Sequence, residues 1–180
     1  TFVTNTYLDI LMQMLSLSAS IKWHLYTVTQ ERIYMLGILI DKISHRELEN
    51  INEICKDNDI FLFGDISLPP IPLEHLPLFS TERSFDFDGP LMSTNIKTTR
   101  VLLNNKSTTK KLFYVRDREW MDYQEGAPYS LFISVYQNKD ILTIAATPEI
   151  KRDLSQFFSD PLGVAAEWDF SKIKELKNEI

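Results

Sequence analysis

The stretch Leu112-Phe113-Tyr114-Val115-Arg116-Asp117-Arg118-Glu119-Trp120, with Ile141-Leu142-Thr143-Ile144-Ala145-Ala146-Thr147-Pro148-Glu149-Ile150 downstream, decides the fold. Each segment opens as a short apolar run, breaks into polar residues and leads towards helical spacing. Working outward, similar runs stand at Ile60–Phe63, Leu91–Met92 and Leu162–Ala165. Helical periods lie between and after them, over Ile96–Leu103, Tyr129–Tyr136, Ile150–Phe158 and Ile173–Leu176. Short apolar runs alternating with helical periods predict an α/β fold, a Rossmann-like parallel sheet with helices on both faces. Such a sheet binds ligands at the carboxyl ends of its strands, which is where chemistry is sought.

Punctuation along the chain agrees with this alternation. Ser44 followed by Glu47 is a capping box that opens a helix over Ser44–Lys56, with Leu48, Ile51 and Cys55 on its apolar face. Ser93, Thr94 and Asn95 end one strand and supply a cap for the next helix. Thr147 before Pro148 is a capping hydroxyl with proline at the first helical position. Asp169 and Ser171 open a last helix over Lys172–Ile180. Residues 66–90 hold five of the eight prolines and read as an irregular excursion, because proline removes ladder donors. Ser16–Ile40 fits helix and strand alike, and Gly37 does not decide between them.

The whole chain, 1–180, is expected to form a single α/β domain. Phe2, Val3, Tyr7, Ile10, Leu11 and Met14 share a helical face, so Thr1–Leu15 reads as a helix. A parallel sheet normally opens with a strand feeding such a helix. The sheet is therefore expected to lack its first strand, and the chain to be a fragment or to have had its beginning removed.

The net charge of -6 is spread without blocks, which leaves no nucleic-acid footprint. No apolar run is long enough to span a bilayer and no secretory signal is visible, so a cytoplasmic location is expected. The one cysteine, Cys55, excludes an internal disulfide and reads as core packing. His24, His45 and His75 show no metal spacing, so no metal is expected.

There is no GxGxxG, GxxxxGK[ST] or GxSxG motif. The candidate chemistry is the polar segment at the carboxyl end of the Leu112–Val115 strand. Asp117 there suits hydrogen bonds to sugar hydroxyls or work as a base. Arg116 and Arg118 suit phosphate or carboxylate, Glu119 adds a second acid, and Trp120 offers a stacking face. The alternative is that these arginines and acids pair with one another at the surface. Thr94, at a neighbouring strand end, reaches the same crevice. Thr147 and Glu149 open a helix whose N-terminus either receives an anion or is simply capped.

In these two segments the chain resembles the N-terminal, acceptor-side domain of GT-B fold glycosyltransferases. That family carries an Asp-containing motif, commonly His-Asp, at a strand end facing the inter-domain cleft; Arg116-Asp117 matches it, with Arg in place of His. Ile144–Leu154 matches the family's strand, hydroxyl residue and helix with acid and basic residues, and Val164–Phe170 matches a following strand and Asp turn. The resemblance implies a transferase that moves a sugar from a nucleotide-sugar donor to a glycosyl acceptor, without a cofactor. It implies a catalytic role for Asp117, with Arg116, Arg118, Glu119, Trp120, Thr94, Thr147 and Glu149 as substrate contacts. It also implies contact with a C-terminal donor domain absent from this chain, and an inactive domain when isolated. The rival expectations are a non-catalytic α/β binding module that uses the proline-rich excursion, and a hydrolase or phosphotransferase built on Asp65 or Asp117.

Overall fold

The computed structural model describes residues 35–56, 59–65, 74–122 and 129–178. The chain divides into two units, Thr1–Tyr34 and Met35–Ile180. The expected helix over Thr1–Leu15, and with it the place of the missing opening strand, lies outside the described residues.

The second unit is built on a seven-stranded sheet: β1 (Leu36–Leu39), β2 (Ile60–Phe63), β3 (Leu78–Phe79), β4 (Leu91–Ser93), β5 (Lys111–Val115), β6 (Leu142–Ala145) and β7 (Gly163–Val164). The strand order is β3-β2-β1-β4-β5-β6-β7, and every pairing is parallel. The helices are α1 (His45–Ile54), α2 (Ile96–Asn104), α3 (Glu119–Asp122), α4 (Tyr129–Tyr136), α5 (Pro148–Phe157) and α6 (Phe170–Asn178). A 3₁₀ segment, Thr81–Asp86, leads towards β4.

The strands are apolar on both sides because both faces are covered, as parallel sheets require. Along β5, Leu112 and Tyr114 join a core with Leu48 and Ile51 of α1 and Ile173 and Leu176 of α6. The alternate residues Phe113 and Val115 face the other way, into a core with Ile96 of α2, Phe132 and Tyr136 of α4, and Leu154 of α5. Full burial of a side chain such as Leu48 or Ile51 contributes about 1.5–3 kcal/mol.

The ambiguous stretch resolves as strand in its described part, since Leu36–Leu39 lies between β2 and β4. Glycine suits this central position because the side is crowded: a Cβ on Gly37 would stand 2.6 Å from Leu91 Cδ1 and 2.9 Å from Phe87 Cε1. The described end of the proline-rich excursion, from residue 74, has regular structure. Its described part holds the edge strand β3 and buries Leu76 and Phe87 in the core. Proline is compatible with an edge strand.

Candidate functional site at the switch of strand order

Chain order reverses between β1 and β4: β2 and β3 continue on one side of β1, and β4 to β7 on the other. Loops that leave two neighbouring strands in opposite directions open a crevice at the carboxyl edge, the usual ligand position in such sheets. A crevice of about 760 Å³ lies there. It is lined by Asp41 to Ser44 and Glu47 after β1, Thr94 to Lys97 after β4, and Arg116, Asp117 and Glu119 after β5.

Each wall is held from below. Thr94 is buried, and its hydroxyl donates to the Leu39 carbonyl at 3.2 Å, tying the ends of β4 and β1 together. Asn95 caps α2, its side-chain oxygen accepting from the Thr98 N–H at 2.8 Å. The Asn95 amide also donates to Asp41, whose second oxygen meets Lys97 Nζ at 3.3 Å. Asp41 thus stands at the mouth of the central strand, fixed by two groups from the opposite wall. Glu119 crosses from β5's loop and accepts the Ile96 N–H at 2.7 Å, at the first turn of α2.

Arg116 forms the third wall. Its guanidinium bonds Glu47 of α1 and, at 2.8 Å, Glu167 beyond β7, and lies 5.1 Å from the centre of the Trp168 ring. Trp168 adopts φ 59°, the left-handed region that a non-glycine residue enters at a cost of about 1–3 kcal/mol. Burial beside Tyr114 and Phe170 holds it there. Burial acts to raise the Glu47 pKa. Hydrogen bonds from the Ser44 hydroxyl and N–H, with the Arg116 charge, outweigh it and hold the carboxyl below its ordinary range. Asp117 is exposed and opens directly onto the crevice.

Four of the eight expected site residues meet at this crevice: Thr94, Arg116, Asp117 and Glu119. The other four do not line it. Arg118 turns to α5, where its Nε donates to Asp153 at 2.6 Å. Trp120 packs into the core, edge-on to Tyr136 and Phe158, so it offers no open stacking face to the crevice. Thr147 is an ordinary cap, accepting the Ile150 N–H at 3.2 Å. Glu149 sits in the first turn of the same helix, where its own N–H and the Thr147 hydroxyl lower its pKa. The arginines and acids of the segment do not simply pair among themselves; Arg116 and Arg118 reach Glu47, Glu167 and Asp153, distant in sequence.

Sequence reasoning missed Asp41, Glu47 and Lys97 as site residues. Asp41 had a signal, because it directly follows the apolar run Ile33–Ile40; assigning that run to a strand puts its carboxylate at the carboxyl edge. Glu47 was legible only as a capping residue. Its contact with Arg116 spans 69 positions and leaves no local trace. Among the described residues, no group of three or more His, Cys, Asp or Glu side chains is arranged to hold a metal. No helix among them is long and apolar enough to cross a membrane.

No protein-family model matches the chain, and neither does any curated protein or solved structure.

Proposed function

We propose that this chain is the acceptor-side half of a glycosyltransferase, and that the switch-point crevice receives a hydroxyl-rich ligand. The supporting observation is Asp117: an exposed carboxylate at the end of β5, opening onto the crevice that the anchored carboxylate of Asp41 also lines. Carboxylates accept hydrogen bonds from sugar hydroxyls strongly, and one in contact with water is available to take a proton from an attacking hydroxyl. In this reading Asp117 is the general base, Asp41 and Thr94 orient the acceptor, and Arg116 braces the wall. The donor nucleotide-sugar is held by a second domain that closes over the carboxyl edge.

The test is sugar transfer by the complete protein carrying this chain, with and without Asp117→Asn. Loss of at least about 10²-fold in kcat with unchanged folding is expected for removal of a general base. Full activity in the variant would end the assignment of Asp117.

A second reading, a non-catalytic binding module, is favoured by one feature. Arg116, Asp41 and Glu119, all crevice-lining, already have partners within the chain. Binding of a ligand without any turnover of a nucleotide-sugar would favour it.

A further inference from the structure

Parallel α/β sheets commonly receive phosphate at helix N-termini along the carboxyl edge, where backbone N–H groups and the helix dipole favour an anion. Here four such termini are each met by a carboxylate of the chain itself. Glu47 accepts the Ser44 N–H at α1 at 2.8 Å, and Glu119 accepts the Ile96 N–H at α2 at 2.7 Å. Glu149 bonds its own N–H at the start of α5, and Asp169 accepts the Lys172 N–H at α6 at 3.0 Å. Three of these are local capping contacts. Glu119 is different: it comes from another strand's loop, 23 positions away, and closes one of the two helix termini that line the crevice, the other being α1, which its own Glu47 caps.

The charge in the crevice points the same way. Asp41, Glu47, Asp117 and Glu119 face three cations, Lys42, Lys97 and Arg116. Lys97 is engaged by Asp41, and Arg116 by Glu47 and Glu167. An incoming phosphate would meet a surplus of carboxylate and a helix end already occupied.

We infer that Glu119 is a specificity-determining residue that keeps phosphate off α2, so that the crevice accepts an uncharged polyhydroxy ligand and excludes phosphorylated ones. This rests on the acceptor-side reading and deepens it: the acceptor is a neutral glycoside or polyol rather than a sugar phosphate. The diphosphate of the donor must then bind outside this crevice.

The test follows the backbone amide resonances of Ile96 and Thr98 while inorganic pyrophosphate is added to the wild-type chain, Glu119→Ala and Asp117→Ala. Both variants remove one crevice carboxylate, but only the first opens the helix terminus. Wild type and Asp117→Ala should show no saturable response up to about 10 mM, whereas Glu119→Ala should bind at least about tenfold more tightly. A saturable wild-type response at these amides, no gain in Glu119→Ala, or an equal gain in Asp117→Ala would each overturn the inference. Should Glu119→Ala not fold, Glu119→Ser, whose hydroxyl is too short to reach the Ile96 N–H, opens the same terminus, and the same gain is required of it. Pyrophosphate binding does not depend on sugar transfer, so an enzyme without glycosyltransferase activity would refute the proposed function and leave this result standing.

Discussion

Replacing Gly37 with alanine tests whether the crowded centre of the sheet fixes β1, the strand that delivers Asp41 to the crevice. The added Cβ would lie 2.6 Å from Leu91 Cδ1, 2.9 Å from Phe87 Cε1 and 3.0 Å from Phe63 Cε2. None of these neighbours can swing out into solvent, since Leu91 and Phe87 are 0% exposed and Phe63 1%. Forcing a methyl into such a site costs about 1–3 kcal/mol. Alanine recovers part of this, about 0.5–1 kcal/mol, because glycine loses more backbone freedom on entering a strand. The central values leave a net loss of about 1 kcal/mol, or about 2–4 °C in Tm for a protein of this size. Urea unfolding should show a lower midpoint with an unchanged slope, since the surface exposed on unfolding stays the same. A Gly37→Ala protein as stable as wild type would refute the packing account of β1.

Three further outcomes follow from individual residues. Asn95→Ala removes the cap of α2 and a partner of Asp41, and should lower stability by about 1–2 kcal/mol in chemical unfolding. Glu47 has a folded pKa below its ordinary 4.5, so its stabilisation is present above pH 4.5 and is lost as pH falls through the folded value. Glu47→Gln should therefore flatten the acid limb of the stability–pH curve, measured by thermal unfolding. Burial pushes the Cys55 thiol up to about 12 from 9.0. Its contribution is complete below pH 9 and fades as pH rises towards 12, and a thiol reagent at pH 8 should label it only after unfolding.

Local signals in the sequence carried the fold a long way, for identifiable reasons. The apolar runs at β4, β6 and β7 are bounded by capping residues or prolines, those at β2 and β5 by charged residues or glycine, and each is short enough to be a buried strand. The helix over Tyr129–Tyr136 and the Ser44–Glu47 capping box stand where the spacing puts them. β1 was obscure because Met35, Leu36 and Leu39 satisfy a helical period as well as a strand, and only pairing with β2 and β4 separates the two. β3 was hidden by the prolines around it and has only two residues with which to announce itself.

The site was legible in part. A polar segment at a strand's carboxyl end leads directly to Asp117, because that edge is where such sheets open. Trp120 misled for a physical reason: an aromatic residue in a polar loop reads equally as a stacking face or as a core anchor, and here it packs against Tyr136 and Phe158. The anchoring of Asp41 by Asn95 and Lys97 depends on strand order, which no local pattern encodes.

The most direct measurement is a backbone amide titration of this chain with a panel of neutral glycosides and nucleotide-sugars. The account predicts saturable shifts that cluster on Asp41–Ser44, Thr94–Lys97 and Arg116–Glu119, and that disappear with Asp117→Ala. Shifts that map to the proline-rich excursion instead, or ligand binding unaffected by Asp117→Ala, would contradict it.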